Sequence, residues 1–283
     1  MGTQQFMVSA FSAEWRGGNP AAVCVLNDWL ADDALQAIAA QNNLSETAFI
    51  HRAELDDVSH QGLTLSLRWF TPAAEVDLCG HATLATAHVL FHHLGVVGDA
   101  TLNFTTRSGR LQARLQAGLD GPEIGLDFPA RESTRVALEP GAWSALGPIE
   151  PSEVWAGDDY MVVYENPETV QALSPDIDKL QRLDRRGVIV TARTEGGEDD
   201  FVSRFFAPKV GVDEDPVTGS AHCMLLPFWS KRLGKTSLSG WQASTRGGRV
   251  RGEVVGDRVM LTGQAVTFSV GEVVVPLPGP ARQ

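Results

Sequence analysis

Apolar residues along this chain fall into short runs broken by Gly, Pro, Asn and Asp, and the runs keep two different periods. Leu63, Leu65, Leu67 and Trp69 share one face of an alternating stretch, which predicts a half-buried strand from Leu63 to Phe70. Gln4 to Phe11, Ala21 to Leu26 and Ser45 to Ile50 read as further strands, with a turn at Gly17-Gly18-Asn19-Pro20. Asp32 to Gln41 places Leu35, Ile38 and Ala39 at the spacing of an amphipathic helix. Ala82 to Leu94 differs, being apolar on every side with no breaker before Gly95. Ala100 to Phe128 holds three strand-like segments broken at Ser108-Gly109 and at Gly118 to Pro122, and Pro129 to Pro151 reads as a linker without a period. Strands follow at Tyr160 to Tyr164, Gly187 to Ala192 and Phe201 to Phe206, then a second apolar helix after Thr218. The last strands expected are Arg249 to Val254, Val259 to Thr262, Ala265 to Val270 and Glu272 to Pro276, with a tail from Pro278. A helix without a polar face needs cover all round, which a curled sheet provides.

The pattern occurs twice. Phe70-Thr71-Pro72, Val76-Asp77 and Cys79-Gly80-His81-Ala82 recur as Phe206-Ala207-Pro208, Val212-Asp213 and Thr218-Gly219-Ser220-Ala221. The offset is 136 at first (206 − 70) and 139 afterwards (219 − 80), so the second copy carries three extra residues within Glu214 to Val217. Thr106 to Leu111 recurs as Thr245 to Val250, and Gly18-Asn19 as Gly157-Asp158, both at 139. This period is too long for a solenoid. It predicts an α+β chain of two pseudo-symmetric domains, each a barrel-like, mostly antiparallel sheet around a central helix. Residues 1–130, with 272–283 added, would form the first domain and 145–271 the second.

The chain has 283 residues, enough for two such domains, and a net charge of −12, which argues against nucleic acid or an anionic membrane as partner. No apolar run reaches 18 residues, so no transmembrane helix is expected, and Met1 to Met7 lack the features of a signal peptide. Cys24, Cys79 and Cys223 form an odd, sparse set that fits a reducing cytoplasm.

Candidate chemistry gathers at the two Gly-containing helix starts. Small residues at Gly80 and at Gly219-Ser220 let a ligand approach free backbone N–H groups. Glu46 opens a buried strand, where a carboxylate is costly unless paired or useful. Its counterpart, one residue adrift, is Arg186, so the halves differ in charge at this point, as a two-sided site would. Asp215 lies within the insertion, a place where loops carry function. Asp77 and Asp213 occur in both copies and read as helix caps. Cys79, at a helix start that favours thiolate, is a possible base or nucleophile, or a buried structural thiol. His81 could hold a substrate oxygen. Cys79, His81, His222 and Cys223 lack zinc-ligand spacing, and His88 with His92 lacks the Glu of a metalloprotease motif, so no metal is expected. No dinucleotide fingerprint, phosphate loop or nucleophile elbow is present.

Gly18-Asn19-Pro20, Ser45-Glu46-Thr47-Ala48-Phe49, Cys79-Gly80-His81-Ala82-Thr83-Leu84-Ala85 and Glu214-Asp215-Pro216-Val217-Thr218-Gly219-Ser220-Ala221 together resemble the phenazine-biosynthesis (PhzF-like) protein family along nearly the whole chain. The resemblance implies the diaminopimelate epimerase-like fold, with a site in the cleft between two similar domains. It implies a cofactor-independent isomerase, and a homodimer, acting on a small-molecule substrate. In the phenazine-making member a glutamate moves a proton between carbons of a small cyclic amino acid, a role that falls here on Glu46. Asp215 and His81 take substrate positioning and proton traffic; Gly80, Gly219 and Ser220 hold the substrate carboxylate, with Asn19 and Thr218 beside them. Epimerase and racemase relatives use two cysteines, whereas this chain sets Thr218 opposite Cys79. A Cys79-dependent epimerase, racemase or dehydratase, and a non-catalytic protein binding a small acid or a partner, are the alternatives.

Overall fold

The order of elements along the chain repeats as the sequence does. A computed structural model describes residues 2–56, 58–59, 62–96, 100–118, 121–137 and 141–274. The first half comprises β1 (Thr3–Ala10), β2 (Asn19–Leu26), α1 (Asp32–Asn42), β3 (Glu46–His51), β4 (Val58–Ser59), β5 (Gly62–Phe70), β6 (Glu75–Val76), α2 (Gly80–His92), β7 (Leu102–Thr106), β8 (Gly109–Gly118) and β9 (Gly121–Pro129). The second comprises β10 (Thr134–Val136), β11 (Glu153–Ala156), β12 (Tyr160–Val163), α3 (Pro167–Ala172), α4 (Ile177–Leu180), β13 (Val188–Arg193), β14 (Phe201–Phe206), α5 (Gly219–Leu233), β15 (Ser237–Gln242), β16 (Gly248–Val255), β17 (Arg258–Gly263) and β18 (Ala265–Val273).

Pairing repeats strand for strand. β2 runs parallel to β3, β3 antiparallel to β5, β5 parallel to β7, and β8 and β9 follow antiparallel. The same sequence of orientations links β12, β13, β14, β15, β16 and β17. The equivalent strands β9 and β17 pair with each other, Leu126 opposite Leu261, and join the halves into one continuous sheet. The chain then trades strands across the molecule. After β9 it lays β10 beside β11 in the second half, and after β17 it lays β18 beside β1 in the first.

Each half of the sheet wraps its apolar helix. α2 packs on β1, β2, β3, β8, β9 and β18, and every residue from His81 to Phe91 is buried. α5 packs on β15, β16 and β17. Full burial of one Leu or Val contributes roughly 1.5–3 kcal/mol, so these helices anchor their halves. Pro227 lies inside α5 and has no N–H to give the carbonyl of Cys223. That carbonyl accepts instead from the backbone N–H of Arg131, at 2.9 Å, on the segment crossing from β9 to β10.

Three expectations change. Pro129 to Pro151 is no featureless linker, because β10 forms within it and pairs with β11. Ala265 to Val270 and Glu272 to Pro276 are not two strands: β18 runs unbroken to Val273 along β1, and residues 275 and 276 lie outside the described residues. Asp77 and Asp213 are exposed and cap nothing, since Cys79 and Thr218 hold the cap positions without a side-chain cap bond. No helix among the described residues is long and apolar enough to cross a membrane.

Candidate active site

The two uncapped helix starts meet. A Cβ built on Gly80 would lie 3.4 Å from the Cα of Gly219, and one built on Gly219 equally close to the Cα of Gly80. Glycine at both places allows this backbone approach, and neither helix has an acidic residue in its first turn. The junction therefore keeps the free N–H groups and positive dipole ends of both helices.

Parallel pairing of β2 with β3 sets Ala21 opposite Glu46, which brings Asn19 and Glu46 to the same end of the sheet as α2. Glu46 Oε2 lies 3.1 Å from His81 Nε2, yet neither buried atom makes an aligned hydrogen bond. On the other side of the ring, His81 Nδ1 lies 3.2 Å from Asn19 Nδ2 and 3.6 Å from Cys79 Sγ. Asn19 is fully buried, and its Nδ2 donates to Asp215 Oδ1 at 2.8 Å and to the carbonyl of Val217 at 3.0 Å. Asp215 also accepts from the Thr218 hydroxyl at 2.5 Å. Gln242 fixes this loop, donating to the Asp215 carbonyl at 2.8 Å and accepting from the Thr218 N–H at 2.8 Å. Glu46, His81, Asn19 and Asp215 thus form one chain of contacts from the first half into the second.

Charge follows from these contacts. Burial disfavours the charged ring of His81, but Cys79 and Glu46 outweigh it and hold His81 well above its ordinary value. Cys79 is itself pushed up, first by burial and then by Glu46, with His81 pulling the other way. This corrects the expectation that the helix start favours thiolate. Burial also raises Asp215, assisted by Glu46 and opposed by His81, Thr218 and Asn19.

The second half builds the mirrored pair. Arg186 precedes β13 and donates from Nη2 to Ser220 Oγ at 3.0 Å, as Glu46 precedes the rest of β3 and reaches His81. Nε and Nη2 also grip the buried carboxylate of Asp159, at 3.0 and 2.5 Å.

Of the expected residues, Asn19, Glu46, Cys79, Gly80, His81, Asp215, Thr218, Gly219 and Ser220 come together at this junction. His222 and Cys223 do not join them. The Nδ1–H of His222 bonds the carbonyl of Thr218 at 2.8 Å, and the ring packs beside Phe201, where burial lowers its pKa to about 4. Among the described residues, the groups able to converge on a metal ion are Glu46, Cys79 and His81, with ligand atoms within 4.8 Å of one another. Zinc would need Cys79 as thiolate, against the pull of its surroundings.

Gln242 and Arg246 were not legible beforehand as parts of the site. Arg246 ties the turn before Asn19 to the β15–β16 hairpin, donating to the carbonyls of Gly17 and Gly18 at 2.9 Å each. The one signal for it was the recurrence of Thr106-Arg107 as Thr245-Arg246. Two surface hollows, about 490 Å³ lined by Leu115 to Gly118 with Gly121 and Pro122, and about 550 Å³ beside β1 and β18, include none of the junction residues.

The family model described as phenazine biosynthesis-like protein matches residues 8–271. The chain belongs to this family. It is 50% identical over 266 residues to an uncharacterized isomerase of Pseudomonas aeruginosa, covering 94% of this chain and 96% of that one. A crystal structure of a PhzF-family phenazine biosynthesis protein from Enterococcus faecalis superposes with a TM-score of 0.88 at 44% identity, covering 97% of this chain and all of that one. A hydroxyproline epimerase from Agrobacterium vitis, solved with trans-4-hydroxy-L-proline, superposes at 0.59 and 12% identity over 96% and 92% of the two chains, which shows the fold alone. The duplicated sheet-and-helix architecture of this PhzF-like chain is thus the diaminopimelate epimerase-like fold.

Proposed function

We propose that this chain is an isomerase that moves a proton on a small, carboxylate-bearing, amino-acid-like substrate, with Glu46 as general acid and base and no metal or organic cofactor. The observation that carries this reading is the Glu46–His81 pair, 3.1 Å apart and without aligned hydrogen bonds, at the meeting of two uncapped helix starts. The names of isomerase relatives support the reaction class.

In this scheme the substrate carboxylate sits on the N–H groups at Gly80 and Gly219. A Glu46 oxygen takes a proton from a carbon conjugated to that carboxylate. The bonding pair moves into the conjugated system, and the helix starts stabilise the developing oxyanion. The Glu46 carboxyl then returns the proton at another carbon, so nothing is gained or lost overall. His81, paired to Glu46, keeps that carboxylate oriented, and Asp215 holds Asn19 and Thr218 in place. A Cys79-dependent reaction is disfavoured by the burial that pushes the Cys79 thiol up and by Thr218 opposite. The test is a panel of amino acids and unsaturated acids in heavy water, followed by NMR for deuterium uptake. Uptake that Glu46→Gln abolishes supports the proposal; uptake that survives Glu46→Gln and is lost in Cys79→Ala reverses the assignment.

A further inference from the structure

We propose that Arg186 and Ser220 bind a second acidic group of the substrate, so that the chain acts on a small dicarboxylate or acidic amino acid rather than a neutral one. Arg186 has five N–H donors. Nε and one Nη2 donor grip Asp159, whose side chain is 1% exposed, and the other Nη2 donor meets Ser220 Oγ at 3.0 Å. The two donors on Nη1 have no partner among the described residues, and the side chain is 43% exposed. Ser220 accepts from Arg186, which leaves its own hydroxyl proton to give. A guanidinium clamped by a buried carboxylate, with one edge free, is a preorganised carboxylate fork, and it does not have to be ordered on binding.

The position gives this fork its meaning. Ser220 and His81 are related by the offset of 139 that relates the helix starts (220 − 81), and both flank the Gly80–Gly219 junction. His81 Nε2, nine-tenths buried and 3.1 Å from Glu46 Oε2, belongs to that junction too. Glu46–His81 therefore stands on one side and Arg186–Ser220 on the other. A substrate whose first carboxylate lies on the helix starts would present its reacting carbon to Glu46 and its other arm to Arg186. A neutral arm would offer the Nη1 donors no charged acceptor and would forgo the charge-assisted bonds that a second carboxylate makes. This inference rests on the isomerase reading for the first carboxylate, but its test does not use catalysis.

The test is binding of malonate, succinate, glutarate and adipate, each against its own monoamide, followed by NMR titration of the whole chain. At least one diacid should bind roughly tenfold or more tightly than its monoamide, as expected for a hydrogen-bonded charge pair. Its titration should move the Arg186 Nε–H signal. In Arg186→Met the preference should fall to within about twofold. Arg186→Lys keeps a charge for Asp159 and should lose most of it while melting near the wild-type temperature. The readout is binding alone, so failure of the isomerase reading would leave this result standing. Equal affinity of every acid and its amide, no binding at all, or a preference that survives in both Arg186 variants would overturn the proposal.

Discussion

Glu46 and His222 show opposite uses of a titratable residue. Glu46→Gln keeps the side-chain volume and removes the base, so deuterium exchange should fall by roughly 10² to 10⁴-fold with little change in melting temperature. Cys79→Ala should keep most of the exchange and leave a small cavity costing about 1 kcal/mol. His222 is fully buried and neutral, with its pKa lowered to about 4. A group depressed in the folded state contributes stability that is present above its unfolded value, near 6.5, and is lost as pH falls through its folded value. Wild-type stability in urea should therefore drop between pH 6.5 and 4, by about 3 kcal/mol from this residue. His222→Leu should flatten that part of the slope; an unchanged slope would refute the assignment. His88, lowered to about 4 by burial and by His92 and His93, adds a slope of the same sign.

At the scale of elements, the Gly80–Gly219 contact decides what the helix starts can do. A single methyl at 3.4 Å from backbone is ordinary contact, so Gly219→Ala should fold normally. Gly219→Val adds two more carbons against Gly80 and Leu261 and should cost about 1–3 kcal/mol through overpacking. The comparison of the two melts separates helix propensity from crowding at the junction. The duplication makes Gly80 and Gly219 equivalent positions, and the structure brings these equivalents together.

For the whole molecule, the strand exchange and the Arg246 clamp hold the halves closed around a site whose His81 side chain is 5% exposed. A substrate must enter, so we expect the halves to rotate about the β9–β17 ladder. Arg246→Ala releases Gly17 and Gly18 and should favour the open form. Small-angle scattering should then give a larger radius of gyration than for the wild type, and identical curves would count against the hinge. A homodimer, implied by the family resemblance, belongs to the same proposal and is checked by light scattering of the purified chain.

The sequence by itself determined the duplication, the two apolar helices and most of the junction, because each was written in local pattern: period, breakers and small residues at a repeated spacing. Glu46 was read as a carboxylate opening a buried strand, Asp215 from the three-residue insertion and His81 from its place at the helix start. The tertiary structure alone decided which strand lies beside which. The passage of β10 to the second half leaves no local trace, since an edge strand reads alike whichever sheet receives it. It also decided the state of Cys79, where burial and the Glu46 carboxylate outweigh the helix start. Arg186 is the sharpest case. Its charge opposite Glu46 could be read from the repeat, but its grip on Asp159 and its free edge exist only once β13 and α5 are packed together.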